Sequence, residues 1–207
     1  ADSLLIVGDR HGRRTPLPGF RRVWDAAVVA LESGAIAAGV IEMEDRIPVL
    51  RFHNVETGPT PRFTGWGNDV LRNAWSVSIA PLDGRRFWYA ADAFVQPLFA
   101  VCAGVGNAGD VSVSAVSLPG SGFATMPSVA AMADDRAAVV WSEDKMWGCH
   151  EYDFKRRSRI RLGVLDADLK PLCEDVPLAP PEWDDDEQQM PCSPSVVGLD
   201  DGLHVFF

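Results

Sequence analysis

Trp24 and Trp75 hold the same place in two look-alike stretches, VWDAAVV from Val23 and AWSVSIA from Ala74, each opening an apolar run. Indoles at matching positions need no reactive group to be useful. Their faces stack on the C–H side of a sugar ring or clamp a partner's side chain. Trp147 occurs after another such run, in KMWGCHEYDF, together with His150 and Tyr152. Trp24, Trp75, Trp147, His150 and Tyr152 therefore form the candidate ligand-binding set, provided that the fold gathers them at one end. The competing reading packs Trp24 and Trp75 between repeated units.

Reactive signatures are scarcer. No G-x-S-x-G, H-E-x-x-H or GxxxxGK[ST] pattern appears. GVGNAG (Gly104 to Gly109) is glycine-rich, but no βαβ context surrounds it and it reads as a loop. No residue is assigned a catalytic role, and no two carboxylates can be paired as acid and base. Asp25, Glu44, Asp45, Asp92, His150, Glu151 and Asp153 are the candidates should the chain be an enzyme. The four histidines, His11, His53, His150 and His204, fall at non-equivalent places and read as isolated side chains. Metal and cofactor content stays unknown. The acidic run EWDDDEQQ (Glu182 to Gln189) reads as a solvated loop, with calcium as a lesser alternative because its order of acids does not match an EF-hand.

These residues must be positioned by repeated hairpins. VWDAAVVALESGAIAAGVIEMED, NAWSVSIAPLDGRRFWYAADA, MPSVAAMADDRAAVVWSED and SPSVVGLDDGLHVFF share one grammar: an apolar run, an Asp- or Gly-bearing turn, a second apolar run. That grammar predicts antiparallel hairpins. The turns lie near residues 34, 84, 135 and 202, with a period of roughly 50 residues before a longer last step. A helical reading of the Ala-rich first copy is disfavoured by its central Ser33-Gly34. A third run follows each of the first three hairpins: IPVLRFHNVETG, then DVSVSAVSLPGSG with PLFAVCAGVG competing, then RIRLGVLDADLKPL. The fourth copy lacks one, and ADSLLIVGDRHGRRTPL at the start supplies it.

The expectation is an all-β, four-bladed β-propeller, with the N-terminal strand completing the last blade. It is one domain over 1–207, with blades near 23–72, 73–122, 123–190 and 191–207 plus 1–22. A β-sandwich or irregular barrel is the alternative. In such a ring the loops before first strands and after second strands crowd one axial face, which places the aromatic set there.

Composition narrows the partners. The net charge of -10 disfavours nucleic acid, and Lys155 to Arg159 is the only basic run, read as a solvated loop or strand edge. No apolar stretch is long enough to predict a membrane span, and no cationic-apolar leader opens the chain. The four cysteines have no C-x-x-C spacing, and they are expected to pair as Cys173–Cys192 and Cys102–Cys149. Disulfides imply an extracellular or periplasmic address.

The pattern PSVAAMADDRAAVVWSED…RIRLGVLDADLKPL resembles the blades of bacterial secreted β-propeller proteins, TolB-like in general character. Four blades are similar to the hemopexin-type ring. Neither resemblance carries a ligand residue onto this chain. The expected function is a non-catalytic module binding a protein or a carbohydrate at the axial face. The alternatives are a hydrolase or other enzyme with an acidic and His-bearing site at the axial mouth, or an assembly module.

Overall fold

The computed structural model describes residues 5–8, 14–17, 22–56, 62–64, 70–95, 98–108, 110–118, 123–144, 158–178, 194–199 and 202–206. All regular elements among them are β-strands. β1 (Leu5–Gly8) and β2 (Arg14–Leu17) form a hairpin. The first large sheet runs β3 (Val23–Ala30), β4 (Ile36–Glu44), β5 (Ile47–Glu56), β6 (Arg62–Thr64), with β7 (Leu71–Arg72) also pairing with β5. The second contains β8 (Ala74–Pro81), β9 (Arg86–Val95), β10 (Leu98–Asn107) and β11 (Asp110–Ser117) in that order. The third is β12 (Phe123–Met132), β13 (Arg136–Asp144), β14 (Ser158–Leu165) and β15 (Pro171–Pro177). β16 (Ser195–Leu199) and β17 (Gly202–Phe206) make the last hairpin.

Local chemistry explains the hairpins. Gly34 has φ +82°, a left-handed turn conformation that costs glycine little. Asp83 accepts bonds from the N–H groups of Arg85 and Arg86 at 2.9 and 2.7 Å, holding its turn shut. Asp134 and Asp135 both have positive φ, within the three-residue loop that joins Met132 to its partner Arg136. The Ala-rich first copy is strand because its two faces are both needed. Ala37 and Ile41 join one apolar cluster and Ala38 and Val40 another, a period of two rather than 3.6.

The three large sheets stack through their faces. Between the first and second, Leu50, Phe52, Phe87 and Tyr89 are buried together, with Phe52 edge-on to both Phe87 and Tyr89 at about 5 Å. Trp88 points from β9 to the opposite side and meets Trp141, Val139 and Val129 of the third sheet. Val196 continues the stack against Ala130, Ala138 and Val140. The many alanines of β4, β9 and β13 keep the sheets close enough for these rings to interdigitate.

The inner strands β3, β8, β12 and β16 lie side by side and run the same way. One side-chain bond ties each to the next. The Val77 N–H donates to Asp25 (2.9 Å), the Val129 N–H to Ser78 Oγ (3.1 Å), and the Val196 N–H to Ser128 Oγ (3.2 Å). Neighbouring turns also meet, the Ser33 N–H donating to the Gly84 carbonyl at 3.3 Å. This fan of sheets around adjacent first strands is blade geometry.

Three expectations change. The second and third sheets have four strands and the first has five, rather than three each, and both DVSVSAVS and PLFAVCAGVG are strands of the second. GVGNAG is not a loop at its start. Gly104 to Asn107 end β10, and a Cβ on Gly106 would collide with the Phe87 ring, so packing demands the glycine. The expected pairing of the N-terminal strand with the last hairpin is not found among the described residues. Leu5 lies opposite Leu17 and Gly8 opposite Arg14, while β16–β17 is its own two-stranded sheet, and no closed ring is seen among the described residues.

Candidate functional site

The leading ends of the inner strands are irregular in a repeated way. Val23 lies opposite Glu42 and Asp25 opposite Ile41, so Trp24 is the extra residue of a β-bulge. Ala74 lies opposite Ala93 and Ser76 opposite Asp92, which makes Trp75 extra in the same manner. β12 shifts register between Thr125 and Ser128. A bulge re-aims the side chain it inserts. Left-handed residues precede both tryptophans, Arg22 and Asn73, each with φ 59°. Their carbonyls accept the N–H groups of Met43 and Phe94 at 3.2 and 3.0 Å.

The result is an aromatic surface. Trp24 is 55% exposed and Trp75 40%, and their rings meet edge to face at 5.0 Å. Phe99 of β10 stands 6.0 Å from Trp75, and Phe94 of β9 5.4 Å from Phe99. Met126, at the third bulge, is also exposed. Trp88, by contrast, is fully buried.

Two carboxylates underlie this surface. Asp25 accepts from the N–H groups of Ala26 and Val77, both at 2.9 Å. Asp92, almost fully buried, accepts from Trp75 (3.2 Å) and Ser76 (2.7 Å) on one oxygen and from Met126 (2.9 Å) on the other. Burial pushes the Asp92 carboxyl above its ordinary range, and the N–H bonds pull only part of the way back. Both acids are committed to backbone, so they set the bulges. Glu44 pairs with Arg51, which also meets Glu42 at 3.6 Å, and Asp45 is exposed in the β4–β5 turn. Glu143, only 2% exposed, receives the Arg161 Nε–H at 2.6 Å. The ends of β4, β9 and β13 thus bring an excess of acid to the leading end.

Trp147, His150, Tyr152, Glu151, Asp153 and the basic run from Lys155 to Arg157 lie outside the described residues, as do the acidic run and His11. Asp144 and Ser158, between which the first of these segments runs, are paired at the leading end of the third sheet. His53 sits on the first sheet opposite Ala38, and burial, with Arg51 nearby, lowers its pKa to about 4. Among the described residues no group of three or more His, Cys, Asp or Glu is placed to hold a metal.

The disulfide expectation finds no support among the described residues. Cys102 and Cys173 are free thiols, Cys102 lying 3.9 Å from Ser117 Oγ. Their named partners Cys149 and Cys192 lie outside the described residues. The extracellular or periplasmic address loses the support it drew from those bridges. No helix among the described residues is long and apolar enough to cross a membrane.

Sequence alone could have found the aromatic pair, from the matching VWD and AWS. It offered no signal for the Asp92–Met126 bond, which joins residues far apart in the chain.

No protein-family model matches the sequence, and no curated protein matches it. Solved structures do. An α-L-arabinanase from Penicillium chrysogenum, complexed with arabinobiose, aligns with TM-score 0.59 at 12% identity over 91% of this chain. A point mutant of the NanB sialidase from Streptococcus pneumoniae aligns with TM-score 0.54 at 10% identity over 98%. The chain spans 59% of the first protein's length and 32% of the second's. Both are β-propeller glycosidases, which shows propeller character here and does not point to the TolB-like or hemopexin-type families. The expectation of a non-catalytic binding module is corrected by these neighbours, both of which are named as carbohydrate-cleaving enzymes.

Proposed function

We propose that this chain belongs to a hydrolase of glycosidic bonds, with its site at the leading end of the inner strands. The observation that carries the reading is the alignment of nearly the whole chain with two carbohydrate-cleaving propellers. The bulged ends, their exposed tryptophans and the surplus of carboxylates fit such a site. Glycoside hydrolysis requires two carboxyl groups flanking the scissile bond, one to protonate the leaving oxygen and one to attack or to activate water. Asp25 and Asp92 act as positioning residues that fix the floor. The acid and the nucleophile are sought among Asp45, exposed in the β4–β5 turn, Glu44, and the sequence candidates Glu151 and Asp153.

The test is release of nitrophenol or methylumbelliferone from a panel of aryl glycosides that includes α-L-arabinofuranoside and α-sialoside. Turnover is expected, and replacing the true acid or nucleophile by its amide should lower kcat by a factor of at least about 10². Absence of turnover across the panel by the folded protein overturns the reading.

A further inference from the structure

Resting on that reading, we infer that the Trp24–Trp75–Phe99 surface is a stacking subsite for a neutral sugar, and that this end of the molecule rejects anionic sugars such as sialic or uronic acids. The first half of the argument is exposure. Two indoles are left in water by matching bulges, although one more residue of regular pairing would have turned each toward a sheet face. A contiguous exposed aromatic patch marks a contact site. Trp24 and Trp75 stand at 90° to each other, so a ring stacked on one face meets the edge of the second. That corner fits a compact polyol with one C–H face. A flat apolar partner surface would favour coplanar rings.

The second half is charge. An acidic sugar is held by a carboxylate–guanidinium fork. At this end two guanidinium groups set in the sheets already face acids of the same chain, Arg51 with Glu42 and Glu44 and Arg161 with Glu143, while Arg22 and Arg46 stand exposed near Glu44 and Asp45. Asp25 and Asp92 add negative charge beneath the indoles, and the chain carries a net charge of -10. An anion approaching this field is repelled. Of the two chemistries represented by the structural neighbours, the surface matches the uncharged one.

The experiment is titration of the intact chain, followed by tryptophan fluorescence and calorimetry, with arabinobiose, xylobiose and cellobiose as neutral probes and sialyllactose and digalacturonate as anionic ones. At least one neutral probe should bind saturably, with little dependence on salt. Trp24→Ala and Trp75→Ala should each weaken it by roughly three- to tenfold, while Trp24→Phe retains most of the affinity and circular dichroism stays unchanged. Tighter binding of either anionic probe, no saturable binding of any neutral one, or binding indifferent to both tryptophans overturns the inference. Neutral binding without turnover leaves it standing and counts against the hydrolase. Turnover of a sialoside does the reverse.

Discussion

The two ends of the inner strands are built by opposite means. At the turn end, each hairpin is closed by residues a few positions apart: Gly34 in its left-handed conformation, Asp83 gripping Arg85 and Arg86, Asp134 followed by Asp135. At the leading end, order comes from a distance. Asp25 reaches Val77 in the next sheet, and Asp92 joins two bulges on β8 and β12. The turn end is regular and fixes register. The leading end breaks register on purpose and turns tryptophans outward. A repeat that must stack and also recognise something can do so by keeping one end uniform and varying the other.

Perturbations should rank accordingly. The core that both ends share sets the upper bound: Trp88→Ala or Trp141→Ala should cost about 3–5 kcal/mol in urea denaturation, since both rings are fully buried between sheets. Asp92→Ala should come next, at about 3 kcal/mol, because three backbone N–H groups lose one acceptor residue in a buried setting. A cost below that of Asp83→Ala would mean that the leading end is not held as described. Asp83→Ala should cost only about 1 kcal/mol, since its turn is exposed to water that can replace the bonds.

Acid separates a further contribution from both ends. His53 is held near 4, below its ordinary 6.5, so the unfolded chain takes up the proton first as pH falls. Its contribution is intact above about pH 6.5 and erodes toward pH 4, by about 3 kcal/mol in total. His53→Gln should flatten that part of the pH profile. An unchanged profile would assign acid sensitivity to the leading-end carboxylates instead. Gly34→Ala should cost about 1 kcal/mol through backbone strain alone, because nothing lies near the added methyl. The smallest effect on stability belongs to Trp24→Ala, within about 0.5 kcal/mol by thermal melting, since its ring is largely in water.

The same division explains what the sequence disclosed. Turn chemistry is local, so the turns at Gly34, Asp83-Gly84, Asp134-Asp135 and Gly202 could be read directly. The equivalence of Trp24 and Trp75 was legible because their neighbours repeat. Outer strands were harder: β6 is three residues long, and β15 has a proline at each end with an Asp and a Glu between them, so neither has a strong strand pattern. Arg161 alternates with Ile160 and Leu162 along β14 and is nevertheless buried, because Glu143 on the adjoining strand receives it. The even cysteine count suggested bridges, whereas Cys102 sits beside a serine. Long-range pairings of this kind leave no periodic mark.

Among the described residues the ties between inner strands connect each sheet to its immediate neighbours. Such a molecule melts like a row of coupled units, each with its own stability and one coupling constant per seam. Hydrogen exchange should then show steps rather than a single cooperative limit. The slowest amides would lie in β9 and β13, which are covered on both faces, and β16–β17 would open first. Cutting the Ser128–Val196 tie should release the last hairpin and leave the first two sheets protected. It also follows that a period of roughly fifty residues can be inserted or lost at any seam with only a local penalty, so such a fold can lengthen by duplication.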